Sequence, residues 1–208
     1  MSFNSLMLKR VEESNETLYR DLLLVLPDFS EIDKLTIVNV GTPKVDYDAV
    51  GPITGSLLET MLRFNPELQE FVNIIGTMDD PAHALTIEGK VNELYIANRN
   101  INNFILAIDA TVTADEPVLF KPHLRNKGIK PGAAVGKNIP EVGTLSIAVP
   151  TLYKPDVQTS SNINNCNYRC NYNESAYMAK KVANVVYSVL DKKLELFYRD
   201  IEEECSYV

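Results

Sequence analysis

The chain has 208 residues, of which 45% are hydrophobic and 23% charged, and its net charge is −8 at neutral pH. This length suits one domain, and the apolar fraction is that of a globular protein rather than a disordered one. An acidic chain lacks the clustered Lys and Arg of sequence-independent nucleic-acid binders, and no apolar run approaches the roughly 18 residues that span a bilayer. We therefore expect neither a nucleic-acid nor a membrane partner.

The cysteines and the N-terminal sequence indicate a reducing compartment. Cys166, Cys170 and Cys205 are an odd number and form no disulfide framework. Residues 1–20 do not look like a secretory signal, because Arg10 and several acids interrupt any apolar core. The sequence therefore predicts a cytoplasmic protein.

Apolar periodicity predicts alternating helices and strands over the first half of the chain. In chain order we expect a helix over residues 4–26, a strand over 35–40, a helix from Pro52 to about residue 64, a strand over 71–75, a helix over 87–97 with Thr86 as its N-cap, and a strand over 103–108. Such alternation is typical of α/β proteins with a parallel sheet.

The second half adds strands over residues 117–121 and 144–149, an Asn-rich loop over 156–173 and a helix over 174–203. The predicted fold is a three-layer α/β structure in which helices sandwich a twisted, mostly parallel sheet. We expect a single domain over residues 1–208, with a helical arm at 1–32. The two terminal helices could cover a partner subunit in a homo-oligomer, but covering their own sheet is the simpler arrangement.

Acidic side chains follow three consecutive predicted strands. Ligands bind beyond the carboxyl ends of parallel strands, so these residues are expected at one rim of the sheet. They are Asp46 and Asp48 after the first strand, Asp79, Asp80 and then His83 after the second, and Asp109 at the end of the third. An acidic rim would suit a basic peptide.

Asp48 and Asp109 are the candidate catalytic pair. Asp109 closes an apolar strand and is expected to be half-buried, whereas Asp48 precedes a helix N-terminus, which favours the ionised carboxylate. Different surroundings can separate the pKa values of two carboxyls, so that one is an acid while the other activates water. Aspartate-type peptide hydrolysis requires this combination.

Other interpretations of these residues stay open. Asp48 could be a helix cap, and Asp109 could bind backbone N–H groups of the next loop. Asp79 and Asp80 suit a simple turn. His83 could be structural, or it could join Asp48 and Asp109 as ligands of a divalent metal, since two carboxylates and an imidazole are a common ligand set.

A segment rich in glycine and proline precedes the last predicted strand. Four glycines, Gly132 among them, fall between residues 128 and 143. This composition forces turns and close backbone approach, so the segment could wall a cleft or form a tight crossover.

Four segments, in this order and spacing, resemble the YyaC family of sporulation proteins, also called the spore protease-like family. The resemblance is strong over residues 33–150 and looser over the final helix. The segments are Gly41-Thr42 with Asp48-Ala49-Val50-Gly51-Pro52; Gly76-Thr77-Met78-Asp79-Asp80-Pro81-Ala82-His83-Ala84; Ala107-Ile108-Asp109-Ala110; and Lys130-Pro131-Gly132-Ala133 with Ile139-Pro140 and Val142-Gly143.

The resemblance implies a fold similar to the germination spore protease and the hydrogenase maturation proteases. It implies a catalytic role for Asp48 and Asp109, which match an aspartate pair in the first of these and nickel-engaging acids in the second. We expect Thr42, Asp79, His83 and Gly132 to bind substrate. These expectations describe a peptidase without a cofactor, acting on a peptide or small spore protein in the cytoplasm of a sporulating cell.

Two alternatives to an aspartate peptidase stay open. One is a metal-dependent hydrolase that uses Asp48, Asp109 and His83. The other is a non-catalytic sporulation module that binds a peptide in the same cleft, which Tyr47 suggests because the family usually has a smaller, more polar loop there.

Overall fold

The computed structural model describes residues 3–131, 140–156 and 166–206. The helices are α1 (Phe3–Val25), α2 (Val50–Leu62), α3 (Pro66–Phe71), α4 (Ile87–Ala97) and α5 (Tyr172–Ser206). The strands are β1 (Lys34–Val40), β2 (Val72–Ile75), β3 (Asn103–Thr113), β4 (His123–Arg125), β5 (Leu145–Tyr153) and β6 (Tyr168–Arg169). None of the helices in these ranges combines the length and apolar character needed to span a bilayer.

The strands form one mostly parallel sheet in the order β2-β1-β3-β5-β4. Neighbours among β2, β1, β3 and β5 are parallel, and β4 and β6 pair antiparallel with different parts of β5. Helices cover both sides of this sheet, which confirms the predicted α/β fold. Because the four parallel strands end at the same rim, the loops that follow them are brought together there.

One side of the sheet, which we call the thick face, packs against α1, α2 and α5. Its apolar strand residues are almost fully buried. They are Leu35 and Ile37 of β1, Leu106 and Ile108 of β3, and Leu145, Ile147 and Val149 of β5. Leu22 of α1, Leu58 of α2 and Val186 of α5 pack against them at 0% exposure. The two terminal helices therefore cover the sheet of their own chain.

The opposite side, the thin face, has a smaller core beneath α4. Strand residues Val38, Val40, Ile105 and Ala107 pack there against Ile87, Val91 and Leu94 of the helix. Farther along the sheet, Ile129 and Val142 extend this cluster, paired by a short antiparallel bridge. The thin face therefore leaves more of the sheet open to polar side chains.

The predicted strand over residues 117–121 is wrong. Glu116–Val118 forms a single 3₁₀ turn, and Phe120 has a φ of 67°, outside the range of a strand. Pro117, the second residue of this turn, favours it because its ring fixes a helical φ and it has no N–H to donate to a sheet. The edge strand lies farther on, at His123–Arg125.

Two predicted boundaries also shift, and the predicted cap of a third element makes a different hydrogen bond. The first part of the predicted 71–75 strand belongs to α3, whose N-cap Asn65 accepts a hydrogen bond from the Leu68 N–H at 3.2 Å. Helix α2 begins two residues before Pro52. Thr86 does precede α4, but its hydroxyl donates to the Pro81 carbonyl at 2.9 Å rather than capping the helix.

Candidate active site

The sequence predicted Asp109 at the end of a strand. In the structure it lies inside β3. The strand continues to Thr113 because β5 pairs with it along this whole stretch. Asp109 is in register with Val40, the last residue of β1, and with Ala148 of β5. Side chains in register share a face, so the Asp109 carboxyl lies on the thin face at the rim where β1 stops.

Asp48 is folded back against the end of β1. It closes the 3₁₀ turn Asp46–Asp48, and its Oδ2 accepts a hydrogen bond from the Thr42 N–H at 2.9 Å. Gly41 makes this approach possible: its φ is 142°, and a Cβ there would stand 2.1 Å from the Asp48 carbonyl oxygen. Since Gly41 follows Val40, the register partner of Asp109, the fold brings both acids to one place.

The two carboxyls are electrostatically coupled. Burial raises the pKa of Asp109 to about 8, and the negative charge of Asp48 contributes, against the opposing effects of Arg125 and the Ala110 N–H. Burial also raises the pKa of Asp48 to about 6, while the Thr42 N–H opposes that shift. A proton is therefore held more tightly on Asp109 than on Asp48.

The expectation that a helix terminus would favour ionised Asp48 is wrong in its net effect. The N-cap of α2 is Ala49, and Asp48 makes its hydrogen bond to the loop backbone at Thr42 instead. Removal of the carboxyl from water outweighs that hydrogen bond, so the pKa of Asp48 rises. The alternative that Asp48 is a helix cap is likewise not what the structure shows.

His123 and Arg125 of β4 are part of the site, although the sequence did not point to them. His123 is in register with Ala148, the neighbour of Asp109 on β5. Arg125, two residues on, therefore shares the thin face, and its charge lowers the pKa of Asp109. The strand has only three residues, so the alternation of polar, apolar and polar residues at 123–125 is too short to predict it.

Hydrogen bonds hold Arg125 in place through His123. The His123 Nδ1 lies 2.9 Å from the Lys121 carbonyl oxygen, and its Nε2 lies 3.4 Å from the Arg125 Nε. The positive charge that acts on Asp109 is that of Arg125.

The other predicted site residues are placed less centrally. Thr42 contacts Asp48 through its backbone N–H. Asp79 is exposed in the loop after β2. The His83 Nδ1 accepts a hydrogen bond from the Leu85 N–H at 3.2 Å within its own loop. Gly132 lies outside the described residues, as do residues 157–165 of the predicted Asn-rich loop.

The predicted metal-ligand set is not assembled. Across the described ranges, no group of three or more His, Cys, Asp or Glu side chains is arranged to hold a metal ion. Asp48 and Asp109 lie together, but His83 is engaged in its own loop.

Fold and site together define an α/β protein with a coupled carboxyl pair at the end of a parallel strand. The chain belongs to the family described as protein of unknown function (DUF1256), whose model matches residues 8–183. It is 33% identical over 113 residues to the uncharacterized protein YyaC of Bacillus subtilis (strain 168). The match covers 54% of this chain and 51% of that protein, so the chain spans about half the length of this curated relative. The resemblance to the YyaC family is confirmed.

Among solved structures, the chain is similar to the [NiFe] hydrogenase maturation protease HycI from Thermococcus kodakarensis KOD1. The TM-score is 0.45 at 13% identity, over 78% of this chain and 96% of that one. Nothing about activity follows from a similarity at this level.

Proposed function

We propose that the protein hydrolyses peptide bonds and that Asp48 and Asp109 act as a proton-sharing pair. The observation that carries the proposal is the coupling of two half-buried carboxyls whose pKa values, about 6 and about 8, lie on either side of neutrality. At pH 7 one carboxyl of the pair is ionised while the other holds its proton. This is the division of labour that acid–base hydrolysis needs.

The roles follow from the order of the two pKa values. The Asp48 carboxylate takes a proton from water as the water oxygen bonds to the peptide carbonyl carbon, and Asp109 gives its proton to the carbonyl oxygen. When the tetrahedral adduct collapses, protonated Asp48 supplies the proton of the leaving nitrogen. Asp109 recovers its proton as the carbonyl re-forms. Both carboxyls thereby return to their starting states.

Arg125 serves this cycle by opposing the effect of burial on the pKa of Asp109. Its charge lowers the pKa of that carboxyl, so the proton on Asp109 can be released as well as held. The hydrogen bond from Arg125 to His123 fixes where that charge stands. Arg125 is therefore a positioning residue in this proposal.

The substrate we propose is a basic peptide or small spore protein in the cytoplasm of a sporulating cell. Support for a basic substrate comes from the exposed carboxylates at the rim, Asp46 and Asp79. Support for the sporulating cell comes from the resemblance of the four sequence segments to the spore protease-like family.

The proposal is tested by assaying cleavage of a library of Lys- and Arg-containing peptides by mass spectrometry. We expect cleavage that Asp109→Asn and Asp48→Asn each reduce by about 10³-fold, since each removes a proton-transfer group. Asp115→Asn, an exposed acid shortly after β3, is the matched control and should retain wild-type activity. Wild-type rates should peak between about pH 6 and pH 8.

The outcomes separate the candidate functions. Cleavage that Asp109→Asn leaves intact would contradict the carboxyl pair. If wild type binds peptides that it never cleaves, and Asp48→Asn binds them equally well, the protein is a non-catalytic peptide-binding module. Cleavage that EDTA abolishes and Zn²⁺ or Mn²⁺ restores would instead indicate a metal-dependent hydrolase.

A further inference from the structure

A groove of about 400 Å³ runs along the outer edge of the sheet, at β2. We call it the β2-edge groove. Its floor is the end of β2 and the two residues that follow, and its walls come from α2, α4 and the loop after β2. Its lining includes Glu59, Ile75, Thr77, Asp80, Lys90 and Glu93.

Within the described ranges β1 is the one strand that pairs with β2, so no strand covers its outer edge along this groove. An exposed strand edge presents backbone N–H and C=O groups that an extended peptide can pair with. Four residues of strand cover about 13 Å. The sequence of β2, Val72-Asn73-Ile74-Ile75, has no Lys or Pro, the residues that commonly block edge pairing.

The helices flank this edge from opposite sides of the sheet. Glu59 comes from α2, which covers the thick face, and Glu93 and Leu94 come from α4, which covers the thin face. The space between them lies in the plane of the sheet, where a further strand would continue it. A peptide in that position would direct alternate side chains toward α2 and toward α4.

The charges of the groove favour a cationic occupant. Its lining holds three carboxylates and one ammonium group. Lys90 pairs with Asp80, and Glu59 accepts a hydrogen bond from Arg63 of its own helix at 3.1 Å. Glu93 is exposed and has no ion-pair partner among the described residues. A Lys or Arg side chain on the α4 side of a bound strand would meet this carboxylate.

We propose that the β2-edge groove binds an extended, lysine- or arginine-bearing peptide segment as an additional strand beside β2. The groove ends at Gly76 and Thr77, at the same rim as Asp48. A peptide bound there would lie three strand spacings, or about 14 Å, from β3, which carries Asp109. Binding in the groove does not depend on hydrolysis, so the proposal stands apart from the proposed function.

The test uses the full chain carrying Asp109→Asn, so that cleavage does not interfere. The probe is the acetylated, amidated heptapeptide Lys-Val-Lys-Ile-Lys-Val-Lys, titrated into ¹⁵N-labelled protein. We expect saturable amide shifts centred on residues 73–77. A version of the peptide N-methylated at every residue, which cannot donate backbone hydrogen bonds from either edge, should bind at least about ten-fold more weakly.

Two charge reversals on α4 provide the matched comparison. Glu93→Lys should weaken binding about five-fold or more, because it places like charge against the peptide. Glu88→Lys, equally exposed on the same helix but outside the groove, should change it less than about two-fold. Unchanged affinity on N-methylation, shifts confined to other surfaces, or equal effects of the two reversals would each overturn the proposal. Dimerisation of the free protein through β2, seen by sedimentation, would also overturn it.

Discussion

The two faces of the sheet use the same strands for different purposes. On the thick face, Ile108 of β3 lies at 0% exposure beneath three helices. One residue along, on the thin face, the same strand presents Asp109 near Arg125. Because successive side chains of a strand point to opposite faces, one segment contributes both to a continuous apolar core and to a polar site. The thick face therefore contributes mainly to stability, whereas the thin face holds the buried charge of the candidate site.

The largest effect should come from matched isoleucines of β3. Ile108→Ala on the thick face should reduce the free energy of unfolding by about 4 kcal/mol, because the cavity lies in a closed core. Ile105→Ala on the thin face, where the side chain is 7% exposed, should cost about 2 kcal/mol. Urea denaturation measures both. Equal losses would contradict the distinction between the faces.

The loop that carries Asp48 should be nearly as sensitive. Gly41→Ala places a Cβ against the Asp48 carbonyl at a φ that alanine disfavours, and should cost about 3 kcal/mol. Gly89→Ala on α4 is the control, because nothing lies within 4 Å of its added Cβ. That variant should be stabilised by up to about 1 kcal/mol. A Gly41→Ala protein as stable as wild type would show that the close approach is not needed.

Removing the site carboxyl should stabilise the fold at high pH. The pKa of Asp109 in the folded protein is about 8, above its ordinary value of 3.8. The contribution of Asp109 to the free energy of unfolding should therefore be highest below about pH 4 and should fall as the pH rises through 8, because the folded state must then bury an ionised carboxylate. Asp109→Asn should therefore be more stable than wild type at pH 9 and nearly as stable as wild type at pH 4. Asp115→Asn should show no such dependence. Thermal unfolding across this pH range is the measurement, and a gain at pH 4 as large as at pH 9 would contradict it.

Much of the fold could be predicted from the sequence, because long apolar periodic segments determine it. The alternation of helices with strands around residues 35–40 and 103–108 indicated the parallel sheet. The strand over 117–121 was mistaken because a short apolar run does not reveal a 3₁₀ turn around Pro117. The extension of β3 to Thr113 depends on pairing with β5, which no local pattern contains.

The site was predictable only in part, for the same physical reason. Asp48 follows an apolar strand and Asp109 follows an apolar run within a strand, and these positions pointed to both. Their actual pKa order comes from burial, which depends on the packing of distant segments. His123 and Arg125 lie in a three-residue antiparallel edge strand. Its pairing with β5 depends on the tertiary structure, which the sequence of three residues does not reveal.

We expect Asp109 to hold a proton at neutral pH because of burial and the neighbouring charge of Asp48. The most direct measurement is a titration of the protein labelled with ¹³C at the aspartate carboxyl carbons. We predict an Asp109 midpoint near pH 8, lowered in Asp48→Asn and raised in Arg125→Gln, with Asp115→Asn leaving it unchanged. An Asp109 midpoint close to pH 4, unaffected by Asp48→Asn, would contradict the account.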